Sequence, residues 1–270
     1  MSYEIGTGSL VLHYQPRVSV RDWKTACVEA LVRWRTPRGG LLGPEFFIAD
    51  AERSGAIVGI GRWVLETAVR QAARWVEEGR ATQVAVNVSA LQIDCADFAG
   101  ELEGLLARYG LPPGLLEIEL TESAHVADVE AAGRQFERLS DDGVTLALDD
   151  FGAGFSGIRT LSWFPANVIK IDKSLIDGIE TQSVKRMLVS GIVALAQEIG
   201  ATSVAEGVED PRQLAVLCDI GCDQAQGFVF SEPVAAGRVR WDYSGMQACQ
   251  NAGIRARQDH VRCTADRVRQ

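Results

Sequence analysis

Val144-Thr145-Leu146-Ala147-Leu148-Asp149-Asp150-Phe151-Gly152-Ala153-Gly154 is the stretch that decides the fold. A short apolar run of this length reads as a strand buried on both faces. An acid pair closes it, and a glycine-rich loop follows, where backbone can approach a phosphate closely. The neighbours repeat the plan. Upstream, Leu116-Glu117-Ile118-Glu119 is a run ending in an acid, with helical spacing over 124–140 before Val144. Downstream, Val168-Ile169-Lys170-Ile171-Asp172 supplies a lysine, and Ser203-Val204-Ala205-Glu206 another acid. Strands that alternate with helices predict a parallel sheet with helices outside.

Extended outward, the same reading predicts strands over Leu10–Tyr14, Cys27–Trp34, 83–88, 116–120, 144–148, 168–171, 202–205 and 222–229. Helices are expected over Pro44–Ser54, Val58–Glu78, 97–109, 124–140, 157–163, 182–199 and 210–219. Eight strands close a ring, so the fold class is α/β, a TIM-like (β/α)8 barrel. The first two strands are joined by a turn around Arg21-Asp22, too short for a helix. The first strand is therefore expected antiparallel to the rest. The barrel domain is expected to occupy residues 1–245. The remainder, 246–270, is expected to be a loose helix or a disordered tail.

The chain has 270 residues and a net charge of -9. That balance argues against polymeric nucleic acid but leaves room for a small phosphorylated ligand held by metal ions. No apolar stretch approaches membrane-spanning length, and the start, Met1-Ser2-Tyr3-Glu4, lacks a signal peptide's basic and apolar regions. A cytoplasmic location is expected. The six cysteines form no CxxC pair and are expected to be reduced thiols.

A carboxylate at the end of a buried strand is costly without a cation. Glu29, inside Cys27-Val28-Glu29-Ala30-Leu31, needs either a metal or an ion pair with Arg33 or Arg35. Arg33 shares a strand face with Glu29 and is suited to grip a phosphate. Taken singly, Asn87 fits a strand-end cap, Glu119 and Glu122 a helix start, and Glu206 and Glu209 acids favoured by a helix dipole. Together, at the ends of alternating strands, they point to one or more cations on one rim of the barrel.

Taken in order, these segments resemble the EAL domains, a family that hydrolyses the bacterial second messenger cyclic di-GMP. The resemblance covers residues 10–235. It rests on Tyr14-Gln15-Pro16, Glu29-Ala30-Leu31-Val32-Arg33-Trp34, Asn87-Val88-Ser89, Glu119-Leu120-Thr121-Glu122-Ser123, Asp149-Asp150-Phe151-Gly152, Lys170-Ile171-Asp172, Ala205-Glu206-Gly207-Val208-Glu209 and Gln226-Gly227. It implies a phosphodiesterase that linearises cyclic di-GMP to pGpG with two Mg²⁺ or Mn²⁺ ions. By this resemblance Glu29, Asn87, Glu119 and Asp149 ligate one ion, and Asp149, Asp150 and Glu206 a second. Lys170 resembles the residue that positions the nucleophilic water, Glu206 a general base, and Gln226 a water-orienting group. Gln15 and Arg33 resemble contacts to guanine and phosphate, with Asp172 and Glu209 on the substrate side. Glu122 resembles the residue that holds the loop after the aspartate pair, with backbone N–H groups and Ser156 as donors.

Calcium is expected to bind without supporting efficient turnover, and so to inhibit. The family also implies a homodimer through helices near that loop, where Leu161, Trp163 and Phe164 form an apolar group. An upstream sensory or GGDEF domain is a further expectation. The rival reading is a catalytically weak or inactive EAL domain acting as a cyclic di-GMP receptor or protein-interaction module. Retention of every implied ligand favours the enzyme. The loop departs from many members at Ala153, Phe155 and Gly157, where Thr, Tyr and Ser are common. The lost hydroxyls are expected to leave the loop with fewer bonds of its own.

Overall fold

Among the described residues, nine strands form one sheet that closes on itself. The computed structural model describes residues 9–36, 39–95, 97–154 and 157–246. The strands are β1 (Leu10–Ser19), β2 (Thr25–Arg35), β3 (Leu41–Leu42), β4 (Gln83–Asn87), β5 (Leu116–Thr121), β6 (Thr145–Phe151), β7 (Val168–Ile171), β8 (Thr202–Ala205) and β9 (Gln224–Gln226). β3 pairs with β2 alone, so eight strands make the ring. β1 runs antiparallel to both β2 and β9, and every other ring pair is parallel. The ring and its reversed first strand agree with the sequence expectation.

The helices are α1 (Ile48–Ser54), α2 (Ile57–Glu77), α3 (Ala90–Ile93), α4 (Phe98–Tyr109), α5 (Val129–Asp141), α6 (Gly157–Thr160), α7 (Lys173–Ile176), α8 (Ser183–Glu198) and α9 (Pro211–Ile220). Several boundaries differ from those read in the sequence. The helix expected from 124 starts at Val129, because the Asp128 side chain caps it by accepting from Ala131 N. The strand expected over 222–229 ends at Gln226. Gly227 leaves the ladder with φ 157, and a Cβ there would meet Val208 O at 2.1 Å. The short helices α3 and α7 have too few residues to show a period in sequence. The tail from 247 onward lies outside the described residues.

Outside the ring, α2 buries Ile57, Ile60, Val64, Leu65, Ala68, Val69, Ala72 and Trp75. This i, i+3, i+4 stripe is what an amphipathic helix lays on a sheet. Trp75 meets Tyr14 of β1 edge to face, with ring centroids 5.0 Å apart. Phe164 meets Phe136 of α5 edge to face, with ring centroids 4.8 Å apart, and Trp163 and Leu161 pack on the same core. The apolar group expected at a dimer face is therefore largely core, since ring packing on α5 already covers it.

Because side chains alternate along each strand, Tyr14 outside leaves Gln15 and Arg17 pointing into the ring. Ala147, Val168 and Val204 make a small apolar cluster of their own. Arg17 crosses the interior to Glu117 with two parallel bonds, Nη1 to Oε1 at 2.6 Å and Nη2 to Oε2 at 2.7 Å. Both side chains are buried. Removing one member of such a pair strands the other charge, which costs about 3–5 kcal/mol. Urea unfolding of Glu117→Ala is therefore expected to show a loss of that order. The double variant Arg17→Met with Glu117→Leu is expected to recover most of it. A single variant within about 1 kcal/mol of wild type, well below that loss, contradicts this account of the interior.

Candidate active site

Inward-facing positions of β2, β4, β5, β6 and β7 meet at one end of the ring. They bring together Glu29, Asn87, Glu119, Asp149 and Lys170, and Glu206 follows directly on β8. Lys170 is the centre. Its Nζ lies 2.8 Å from Glu206 Oε1, 2.9 Å from Glu119 Oε2, 3.0 Å from Asp149 Oδ1 and 3.9 Å from Glu29 Oε2. Its side chain is 1% exposed. Four carboxylates thus face one ammonium. Arg17, below, is already paired with Glu117 and reaches Glu119 Oε1 only at 3.9 Å.

Glu29 does not pair with Arg33 or Arg35. Asn87 Nδ2 donates to its Oε1 and Gln226 Nε2 to its Oε2, each at 2.6 Å. Gln226 Nε2 also reaches Gln15 Oε1 at 3.2 Å, and Gln15 Nε2 donates to Ser231 O at 3.0 Å. A chain of amides therefore fixes the Glu29 carboxylate from the β1–β9 side of the ring.

Two adjacent strand residues normally point to opposite faces. Here Asp149 and Asp150 act on the same side, because β6 breaks register between Leu148 and Phe151 and Asp150 adopts φ 56. Aspartate tolerates this left-handed backbone better than most residues. Asp149 Oδ1 steadies the turn by accepting from Asp150 N at 2.9 Å. One oxygen from each of Asp149, Asp150 and Glu206 then falls within 4.8 Å of the other two.

Glu122 grips the loop that follows. Its Oε2 accepts from Gly152 N at 2.9 Å and its Oε1 from Gly157 N at 2.8 Å. Ser156 lies outside the described residues. The expected loosening at Gly157 is not what the packing favours. A Cβ there would meet the Phe151 ring at 2.6 Å and Glu122 Cδ at 3.2 Å, so glycine is what fits.

Arg33 is half-buried on the same face as Glu29, with Nη1 donating to Val32 O. Asp172 caps α7 by accepting from Ser174 N at 3.0 Å, close enough to Asp150 to influence its charge. Glu209 is not drawn into the cluster. It is exposed and pairs with Lys173 at 2.6 Å. Arg17 and Glu117 went unread in the sequence, yet parity marks them. Arg17 is two residues from Gln15 and Glu117 two from Glu119, so each shares a strand face with a site residue.

Burial pushes Glu119 and Glu206 up from the ordinary carboxylate range, and neighbouring acids add to it. Burial opposes ionisation of Glu29 too, but Lys170 and the bonds from Gln226 and Asn87 outweigh it, so Glu29 is lowered. Burial, then Asp149 and Asp172, push Asp150 up to about 6. The donor set suits a hard divalent cation, being all oxygen. Glu119 Oε1 is buried without a hydrogen-bond partner, with Arg17 Nη1 3.9 Å away.

A groove of about 750 Å³ opens beside Asn87 and Thr121, walled by apolar residues such as Leu31, Ile48, Ile57 and Ile60. A smaller cleft of about 340 Å³ lies between α2 and α4, and no residue of the acid cluster lines it.

The EAL domain profile matches residues 1–233. The chain belongs to the EAL domain family. Among its relatives is the bifunctional diguanylate cyclase/cyclic di-GMP phosphodiesterase MucR of Pseudomonas aeruginosa. It is 41% identical over 231 residues, covering 85% of this chain and 34% of MucR. The cyclic di-GMP phosphodiesterase PdeR of Escherichia coli is 40% identical over 233 residues, covering 86% of this chain and 35% of PdeR. The chain thus spans about a third of the length of these curated EAL relatives. The solved PaMucR phosphodiesterase in complex with c-di-GMP superposes with a TM-score of 0.80 at 41% identity, covering 85% of this chain and 94% of that one. The EAL enzyme Bd1971, bound to cAMP and cyclic-di-GMP, superposes with a TM-score of 0.81 at 30% identity, covering 86% of this chain and 64% of that one.

Because Asp150 holds a proton below about pH 6 in the metal-free protein, a cation must displace that proton to use it. Mn²⁺ affinity measured by calorimetry is expected to fall roughly tenfold between pH 7 and pH 5, with proton release on binding. Affinity independent of pH over that range contradicts the assignment.

Proposed function

We propose that this chain hydrolyses cyclic di-GMP to linear pGpG in a reaction that requires divalent metal. One observation carries the reading: in an EAL domain, four carboxylates converge on Lys170 at one rim of the barrel. Glu29, Asn87, Glu119 and Asp149 would hold one ion, and Asp149, Asp150 and Glu206 a second, as Mg²⁺ or Mn²⁺. When bound, such a pair lowers the pKa of water and neutralises charge on phosphoryl oxygens.

The remaining work falls to the chain's own groups. A water attacks phosphorus in line with the 3′-oxygen. The new P–O bond forms as the P–O3′ bond breaks, leaving a 5′-phosphate and a 3′-oxygen that takes up a proton from solvent to become the 3′-hydroxyl. Glu206, raised by burial, accepts the proton of the attacking water, and Lys170 orients that water and adds positive charge beside the phosphate. Gln226 fixes Glu29 and keeps its amide against the water site. Arg33 faces the second phosphate, and Gln15 and the neighbouring groove take the bases. Asp172 and Glu209 act at the substrate's edge through the elements they stabilise, α7 and its link to the loop after β8.

Further parts of the reading are coarser. The free thiols Cys27, Cys95, Cys218 and Cys222 suit the cytoplasm. No helix among the described residues is long and apolar enough to cross a membrane. A homodimer would use the exposed Ile158 of α6 and Val184, Met187 and Leu188 of α8 in place of the core residue Phe164. Upstream sensory or GGDEF sequence is a companion expectation, since MucR carries both activities in one longer chain.

The test is turnover with product analysis. Glu29→Ala and Asp149→Asn are expected to abolish pGpG formation at saturating Mn²⁺ while melting like wild type, and near-normal turnover in either refutes the ligand set. Glu122→Ala is expected to lower kcat about a hundredfold with little loss of stability, because a ligand displaced by about 1 Å loses that much. Glu122→Gln, which keeps one acceptor oxygen, is expected to fall between. Wild-type kcat in Glu122→Ala removes the loop-holding role.

A further inference from the structure

We propose that Glu117 is a positioning residue for the metal site: it occupies Arg17 and so keeps that guanidinium from capturing the ligand Glu119. The proposal rests on the ligand set of the reading above and adds to it a residue that holds no ion itself. Glu117 and Glu119 face inward from β5, one position of the same parity apart, and Arg17 reaches across the interior from β1 toward both. The backbone of Arg17 is fixed on both sides, by Cys27 of β2 and by Gln226 of β9. Only its side chain is free to choose a partner.

Glu119 stands between two cations. Its Oε2 accepts from Lys170 Nζ at 2.9 Å. Its Oε1 is buried without a hydrogen-bond partner, 3.9 Å from Arg17 Nη1. That gap is only about 1 Å longer than a charge-assisted hydrogen bond. Arg17 has donors to spare, because a guanidinium carries more N–H groups than its two bonds to Glu117 use. Its Nε is buried and has no partner. A spare donor and a spare acceptor this close, both shielded from water, are expected to join. The fork prevents it. Bonds of 2.6 and 2.7 Å hold the guanidinium plane against the Glu117 carboxylate, and a tilt toward Glu119 would break one of them.

The cost of failure falls on the cation. With Arg17 on Oε1 and Lys170 on Oε2, both oxygens of Glu119 would be taken, and an ion would have to expel a buried guanidinium to use either. A buried ion pair adds little stability over apolar residues of the same size. Here the pair has a second use: it cancels its own charge, so the charge of the rim is untouched, and it leaves a ligand oxygen unclaimed. Groups behind the ligands typically change metal affinity by about 10–100-fold.

The test is Mn²⁺ affinity by calorimetry on the folded variants, with melting temperature followed in parallel. Glu117→Gln keeps the size, withdraws one acceptor and sets an NH₂ group against the guanidinium. Affinity is expected to fall about tenfold or more, and the metal-free crystal structure to show Arg17 bonded to Glu119 Oε1. Glu117→Asp keeps the charge and only draws the carboxylate back, so its expected loss of about fivefold separates capture from a change in net charge. Arg17→Met with Glu117→Leu removes captor and guard together and is expected to bind Mn²⁺ within about threefold of wild type. A purely structural role moves the melting temperature but leaves the affinity of the folded protein alone. If Glu117→Gln does not fold, Glu117→Asp decides the matter. Wild-type affinity in the folded Glu117 variants, or a loss that persists in the double variant, overturns the proposal alone. A wild-type protein that binds no Mn²⁺ overturns the underlying ligand set and the proposal with it.

Discussion

A single buried ammonium surrounded by carboxylates sets the terms for the rest of this molecule. Lys170 Nζ lies within 3.0 Å of Glu119, Asp149 and Glu206, and Glu29 stands just beyond. One positive charge cannot balance four negative ones in a place that water hardly reaches. No help comes from below, where Arg17 is committed to Glu117. In the metal-free cluster, burial and the neighbouring acids push Glu119, Glu206 and Asp150 up from the ordinary carboxylate range. Divalent cations answer the same imbalance in a chemically useful way, since they need oxygen ligands and bring the missing charge.

The barrel supplies that imbalance by simple geometry. Alternation along a strand sends every second side chain inward, and parallel strands end at the same rim. Glu29, Asn87, Glu119, Asp149 and Lys170 follow from that rule. Asp150 breaks it. The register slip in β6 and the left-handed backbone at Asp150 turn a second acid toward the rim. Strained backbone of this kind persists only where its surroundings hold it. Asp149 holds it through Asp150 N, and Glu122 holds the next turn through Gly152 and Gly157. The loop and the cluster are therefore one mechanical unit, reached from β5 on one side and β6 on the other.

Most of this was legible in the sequence because apolar runs between acids mark buried strands directly. The reversed β1 was legible too, since no helix fits between Ser19 and Thr25. What escaped depended on partners far apart in the chain. Arg17 and Glu117 are separated by 100 residues, and neither signals the other. Phe164 looked like a surface for a partner because Phe136, which covers it, is 28 residues away on α5. Glu209 shared a motif with Glu206 but not its direction, because the chain turns at Gly207, with φ 64. The Glu122 bonds ran the other way: the spacing from Glu119 suggested a turn toward the loop, and the backbone donors are there.

The central claim is that the rim cluster is built to be completed by cations. Its most direct test is the melting temperature of chelator-treated protein against Mn²⁺ concentration, read beside the Asp149→Asn variant. A ligand bound only by the folded state raises that temperature in a saturable way. The account predicts such a rise in wild type and its loss in Asp149→Asn. A wild-type melting temperature that does not respond to Mn²⁺, or an equal rise in both proteins, would contradict it.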